Sequence, residues 1–339
     1  MTLKRRTQTS VVSPLDGVDV ILADLDGVVY TGARPIPYAV ESLNRAASRA
    51  RIGYITNNAS RTDVSVAAHL RELGLSVEPS DVVTSPQAAV RLMIDMIPAG
   101  SRVLVIGGEG LRTEVARAGF VIVGSADDAP AAVIQGFSPD LGWRDLAEAS
   151  IALAGGEAGI PWVATNTDWT LPVERGIAPG NGTLVSAVHS AVGRLPVVAG
   201  KPEVAIFEEA RTRFTAARPL FIGDRLDTDI LGSNRAGIDA ALVLTGVDHA
   251  KQLIAADSDS RPRYILEDLR GLHEAYPEPA VAKDGTVTVR DAVVRVSGGD
   301  VRILADGASG LNLLRAACAA IWNSGTPIYA LDVPERLYA

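Results

Sequence analysis

One cysteine, Cys318, occurs in the 339 residues. An intrachain disulfide is therefore impossible, and a cysteine-rich metal site is excluded. Lysine is scarce too: Lys4, Lys201, Lys251 and Lys283 are the only four among 32 basic residues. An excess of positive charge is missing, the formal net charge being -8. A nucleic-acid partner normally calls for a basic face, so that class of partner is set aside. The four histidines, His69, His189, His249 and His273, are scattered and share no metal-ligand spacing. No apolar run approaches the roughly 18 to 20 residues needed to span a bilayer. Val11-Val12, after Lys4-Arg5-Arg6, is too short for a signal-peptide core, and the cytoplasm is the expected location. What is present, 47% hydrophobic and 21% charged residues, is the composition of a folded protein.

Strand-like and helix-like stretches alternate along the first part of the chain. Val18 to Ala23 is a β-branched run that stops at Asp24. Pro37 to Ala50 reads as a helix with proline in its first turn. Ile52 to Ile55 reads as a strand ending at Thr56-Asn57-Asn58, Val64 to Leu73 as a helix closed by Gly74, and Val82 to Thr84 as a third strand. This order predicts an α/β fold, a Rossmann-like parallel sheet covered by helices on both faces. Ligands bind such sheets beyond the carboxyl ends of the strands, where Asp24 and Thr56 fall.

The rhythm restarts near Ser85, with strands expected at 103–106, 121–123, 132–134 and 162–164. It starts a third time near Gly200, with strands at 220–222 and 241–244. The expected organisation is a flexible N-terminus over 1–15, a catalytic core over 16–84 and 197–276, and an inserted α/β cap over 85–196. A small α+β extension over 277–339 follows. In that extension, 286–296 and 301–304 read as a hairpin about Ser297-Gly298-Gly299-Asp300, Leu311 to Asn323 as a helix, and Pro327 to Leu331 as a last strand. About 60 residues make a marginal core, so the extension is expected to pack on the rest of the chain or on a second copy in a homodimer.

Four places carry chemistry. In Asp24-Leu25-Asp26-Gly27, a carboxylate at a strand end can attack phosphorus. A second carboxylate two residues on, facing the same way if the strand continues, can serve as general acid. An ordinary Asp-Gly turn is the competing explanation. Thr56-Asn57-Asn58 offers neutral donors for phosphoryl oxygens, and could equally cap the following helix. Lys201, between Gly200 and Pro202, suits neutralisation of a phosphate, or is a solvated loop residue. Asp224, in Gly223-Asp224-Arg225-Leu226-Asp227-Thr228-Asp229, is placed at a strand end to bind a hard divalent cation, for which magnesium is the expectation. Asp229 can orient the metal shell from outside, and an acidic helix N-terminus is the alternative.

In their order and placement these four motifs resemble the haloacid dehalogenase (HAD) superfamily over roughly residues 16 to 270. The long insertion between Thr56 and Lys201 is similar to the α/β cap of its class IIA branch, which includes phosphatases for 2-phosphoglycolate, 4-nitrophenyl phosphate, nucleotides and glycerol 3-phosphate. The resemblance implies that Asp24 is the nucleophile, with Asp26 first acid and then base. It implies that Thr56, Asn57 and Lys201 bind the phosphoryl group, and that Asp24, the Asp26 carbonyl and Asp224 hold magnesium. The implied substrate is a small phosphorylated metabolite. Glycerol 3-phosphate is the first choice, from an overall resemblance to actinobacterial phosphatases for it, which can also carry a C-terminal extension. In the polar loop after a cap strand, Asn166, Asp168 and Trp169 are candidates to face that substrate.

Two other classes compete. A phosphotransferase or mutase would pass the same aspartyl phosphate to a sugar hydroxyl, and a regulatory protein would only sense a phosphate. The run Val103 to Gly110 enters a glycine-rich loop, but the spacing is not Gly-x-Gly-x-x-Gly. A tight strand-to-helix turn is the expected use, rather than a dinucleotide site.

Overall fold

The computed structural model describes residues 12–156, 159–173 and 175–338. Lys4-Arg5-Arg6 and Val11 lie outside the described residues. Within them the expected flexible N-terminus is corrected at its end: Leu15 is buried in the core, and the Tyr276 N–H donates to the Val12 carbonyl at 3.1 Å.

Six parallel strands form the first sheet, in the order Tyr264–Leu266, Asp239–Val243, Pro219–Gly223, Val20–Ala23, Arg51–Thr56, Val82–Thr84. All their pairings are parallel. Successive side chains of a strand point to opposite faces. Ile21 and Ala23 accordingly join the apolar layer under the helices Ala39–Ala46 and Asp63–Glu72. Val20 and Leu22 join the opposite layer, with Phe207 and Phe214 of the helix Val204–Phe214. Both faces are covered, which is why the strands read as nearly continuous apolar runs. The helix expected from Pro37 starts later, because Tyr38 caps it in the left-handed region with φ 66°.

A second parallel sheet of five strands has the order Val197–Val198, Trp162–Ala164, Ala132–Gln135, Arg102–Ile106, Val121–Val123. It extends to Val198, past the boundary read at residue 196. The helix Ser85–Ile94 leads into it from the first sheet, and its Ala88, Ala89 and Met93 lie in an apolar cluster that holds residues of both sheets. A short antiparallel pair, Thr170–Val173 with Gly176–Pro179, follows the loop at Asn166.

The chain from Ala280 forms a four-stranded antiparallel sheet with the helix Gly310–Ser324 packed on it. The stretch 286–296 is two strands, Thr286–Val289 and Ala292–Ser297, joined by a turn in which Arg290 has φ 57°. Arg-Asp is not the Asn-Gly or Asp-Gly pair that marks such turns, so the sequence pattern ran straight through it. The last strand expected at 327–331 is a 3-10 turn, Ile328–Ala330, closed by a bond from the Ala330 N–H to the Pro327 carbonyl. The extension packs on the first sheet: Val287, Val294, Leu314 and Ile321 share one cluster with Leu226, Ile230, Leu242 and Ile254. No helix among the described residues is long and apolar enough to cross a membrane.

Candidate active site

Val20–Ala23 ends one residue before Asp24, whose N–H still bonds the Ile222 carbonyl of the neighbouring strand at 2.8 Å. The strand does not continue through Asp26. The Leu25 carbonyl instead accepts from the N–H groups of Val28, Val29 and Tyr30, closing a tight loop. Gly27 sits in that loop at φ 81°, and a Cβ there would overlap the Asp224 carboxylate. Glycine is needed for both reasons. The loop, not a strand, carries Asp26 back towards the site. Its side chain keeps contact with solvent, yet burial by the surrounding protein raises its carboxyl above the ordinary range, against the pull of Lys201, Arg61 and His69.

Lys201 is 4% exposed, so the solvated-loop reading is wrong. Its Nζ lies 2.7 Å from Asp24 Oδ1 and 2.6 Å from Asp229 Oδ1. Burial alone would lower its pKa, but Asp229 and Asp24 hold the charge and raise it above the usual value. Asp229 accepts from Lys201 with one oxygen, and from the N–H groups of Asp224 and Arg225 with the other, at 3.1 Å each. With both oxygens engaged, Asp229 fixes the lysine and the Asp224 loop at once.

Asp224 completes the group. Its Oδ2 accepts from the Val247 N–H at 2.7 Å, and its Oδ1 is buried with no partner among the described residues. Burial, and then Asp229, push its carboxyl up to about 7. Asp24 is likewise raised well above the ordinary range by burial, opposed by Lys201 and reinforced by Asp229 and Asp224. Asp24, Asp224 and Asp229 each present an oxygen within 4.8 Å of the others. Three buried carboxylates against one ammonium leave a deficit of two positive charges when all are ionised. The orphaned Asp224 oxygen and an all-oxygen donor set fit a hard divalent cation.

Thr56 and its neighbours split in role. Thr56 Oγ1 accepts from the Asn58 N–H at 3.1 Å, which leaves the hydroxyl proton free to donate. The Asn57 side chain is not a free phosphate donor. Its Oδ1 accepts from the Lys201 N–H at 2.8 Å, and its Nδ2 donates to Asp168 Oδ1 and to the Lys201 carbonyl, both at 3.1 Å. Asn58 Oδ1 accepts from Ser60 N–H and Oγ and from Arg61 N–H, closing a turn and not capping the helix. The helix cap itself is Thr62, one turn later.

The loop 166–169 meets this segment from the second sheet. Asn166 Nδ2 donates to the Asn57 carbonyl at 2.8 Å, and Asn166 Oδ1 accepts from the Asp168 N–H. Asn166 is therefore a stitch between the sheets. Burial raises the Asp168 carboxyl, against its bond from Asn57. Trp169 is 66% exposed, the only one of the three without a side chain tied into this network. Sequence reading missed the pull of Arg61 and His69 on the Asp26 carboxyl because neither lies in a motif; folding alone brings their charge to bear. The glycine-rich run leads the strand Arg102–Ile106 into the helix Glu109–Arg117, and Gly110 packs against the Ala59 and Arg61 carbonyls. Gly110 thus serves a close approach of this helix to the loop after Thr56.

Residues 21–121 match the family described as haloacid dehalogenase-like hydrolase, and residues 198–272 one described as HAD-hydrolase-like. The chain is 45% identical to the D-glycerol 3-phosphate phosphatase of Mycobacterium tuberculosis over 327 residues, covering 94% of this chain and 88% of that protein. A crystal structure of the glycerol phosphate phosphatase of M. tuberculosis in complex with magnesium superposes with a TM-score of 0.86 at 42% identity, covering 96% of each chain. A p-nitrophenyl phosphatase from Archaeoglobus fulgidus gives 0.70 at 28% identity, covering 76% of this chain and 99% of that one. With these likenesses and the site above, the chain belongs to the haloacid dehalogenase-like hydrolases.

Proposed function

We propose that this chain is a magnesium-dependent phosphatase that hydrolyses glycerol 3-phosphate through a phosphoryl group carried on Asp24. The observation that carries the reading is the buried set Asp24, Lys201, Asp224 and Asp229, in which one lysine touches two carboxylates and a third carboxylate keeps an orphaned oxygen. Asp24, the Asp26 carbonyl and Asp224 would hold the metal. When bound, magnesium neutralises charge, so that an anionic carboxylate can approach an anionic phosphate.

This chain's residues do the rest. Asp24 attacks phosphorus with one carboxylate oxygen, forming the acyl phosphate as the bond to the substrate oxygen breaks. Asp26 donates its proton to that leaving oxygen, and its raised pKa keeps the proton available nearer neutral pH. Lys201 and the Thr56 hydroxyl bind phosphoryl oxygens, and Asn57 acts through Lys201, whose backbone it grips on both sides. Asp26, now ionised, takes a proton from water as the water attacks the acyl phosphate, releasing inorganic phosphate and restoring both carboxyls. The choice of glycerol 3-phosphate rests on the likeness to the M. tuberculosis enzyme over nearly the whole chain.

The test is phosphate release from glycerol 3-phosphate, 2-phosphoglycolate and nucleoside monophosphates, each with magnesium and with a chelator. The expected result is magnesium-dependent release, with the highest kcat/KM on glycerol 3-phosphate, and its loss in Asp24→Asn while the circular dichroism spectrum is kept. A higher kcat/KM on another substrate would reassign the substrate, and turnover by Asp24→Asn would remove the nucleophile.

A further inference from the structure

The strand Asp239–Val243 runs into the segment 244–249, which no sequence motif marks. This segment holds both loops of the proposed metal site. Thr245 Oγ1 donates to the Gly27 carbonyl at 2.7 Å, one residue beyond Asp26. The Val247 N–H takes Asp224 Oδ2, and the Asp248 N–H donates to the Asp224 carbonyl at 3.0 Å. The Asp248 carboxylate then reaches back: its Oδ2 accepts from the Leu226 N–H at 2.6 Å. Gly246 lies so close that a Cβ would overlap the Asp224 side chain.

Asp224 is therefore gripped at its carbonyl and at one carboxylate oxygen by two consecutive N–H groups. Oδ1, the oxygen left over, is buried with no partner among the described residues. Asp248 is bonded on both sides of Arg225, to the residue before it through its own N–H and to the residue after it through its carboxylate. That double bond clamps the turn that carries Asp224 against the segment that orients it.

We infer that Asp248 is a positioning residue for metal binding, which with Thr245 fixes the Asp224 and Gly27 loops so that Asp224 Oδ1 is presented to a divalent cation. It touches no reacting atom and acts through Asp224. The inference rests on the phosphatase reading above, because it takes the Asp24 and Asp224 site to be the one that binds magnesium. Groups outside the ligand shell that orient a ligand typically change metal affinity by about 10- to 100-fold when removed.

The experiment is calorimetric titration of magnesium into the metal-stripped full chain, with 4-nitrophenyl phosphate hydrolysis measured alongside. Asp248→Ala is expected to weaken magnesium binding about tenfold or more. KM for the aryl phosphate at saturating magnesium should stay within about twofold, because a group acting through the metal leaves substrate contacts alone. Asp248→Asn, whose amide oxygen still accepts from the Leu226 N–H, is expected to recover most of the affinity. Thr245→Val, which keeps the shape and removes the bond to Gly27, is the independent second variant, with weakened magnesium binding expected. Circular dichroism checks that each variant is folded. Magnesium affinity equal to the native chain's in Asp248→Ala, or in Thr245→Val should Asp248→Ala not fold, would overturn the inference while leaving the phosphatase reading intact. Hydrolysis by the native chain that a chelator leaves unchanged, with no heat of magnesium binding, would overturn both.

Discussion

Lys201 is where distant segments of the chain meet. Its ammonium bridges Asp24 and Asp229, and its backbone is held by Asn57. A buried ion pair loses more when one partner is removed than it gains by forming, because the remaining charges stay desolvated. Without a metal, the surplus negative charge falls on Asp24 and Asp224, and Asp224 titrates near 7. The sign follows from linkage. A carboxyl whose pKa is raised by folding keeps its proton in the folded state after the unfolded chain has lost it. Its contribution to the stability of the metal-free protein therefore falls as pH rises from about 4 to about 7, the ordinary and the folded value, and levels off above. In the proposed site, magnesium would have to displace that proton below about 7 and not above it. The magnesium-induced rise in unfolding temperature is accordingly expected to be larger at pH 8 than at pH 6. A rise independent of pH would show that Asp224 does not gate metal binding.

At the scale of elements, the exposed margin of the first sheet has a specific solution. The edge strand Tyr264–Leu266 presents backbone groups with no further strand beside them among the described residues, a template for unwanted pairing. Tyr276 donates none of its backbone to that strand, but its hydroxyl oxygen accepts from the Ile265 N–H at 3.1 Å. The Ile265 carbonyl accepts twice from the buried Arg315 guanidinium, at 3.0 and 2.6 Å, and that guanidinium stacks 4.6 Å over the Tyr276 ring. Tyr276→Phe leaves a buried N–H unpaired and is expected to cost about 1–2 kcal/mol, read from the shift of the denaturant midpoint at constant slope. An unchanged midpoint would mean that the bond contributes nothing. A second device joins the sheets. Asp63 and Glu114 share Arg117 at 3.0 and 2.7 Å, and Gln87 links them to Arg213. Gln87 also completes the capping box that starts the helix Ser85–Ile94 at Thr84, so one residue serves the helix start and the link between sheets.

The whole molecule explains why the extension belongs to the enzyme. Its helix and sheet bury Leu226 and Ile230, which lie on the turn carrying Asp229, together with Leu253 and Ile254 from the short helix just after Asp248. Burial of apolar surface is worth roughly 25 cal/mol per Å², so uncovering this face removes stability where the metal site is held. Removing residues 277–339 is expected to lower the unfolding temperature and to weaken magnesium binding together, with soluble yield falling as the apolar face is exposed. A truncated chain with native unfolding temperature and magnesium affinity would show the extension to be an independent appendage.

How much of this was legible depends on how local the signal is. Asp24, Asp26, Lys201, Asp224 and Asp229 stand in short runs with fixed offsets at strand ends, and apolar runs of this kind end where a strand must end. The parallel sheets and the inserted cap were legible for the same reason. The turn at Arg290 and the true start of the helix at Ala39 were not, because Arg290 and Tyr38 adopt left-handed backbone without the glycine or asparagine that would announce it. The roles of Asn57, Asn166 and Asp248 were not legible either, since each is defined by a hydrogen bond to a residue 22 to 144 positions away. The sequence by itself determined which chemistry is present, because carboxylates and a lone lysine at strand ends are a property of short segments. Only the tertiary structure decided which oxygen is left without a partner, which donor is already engaged and which loop grips Asp224, because those depend on packing between segments far apart in the chain.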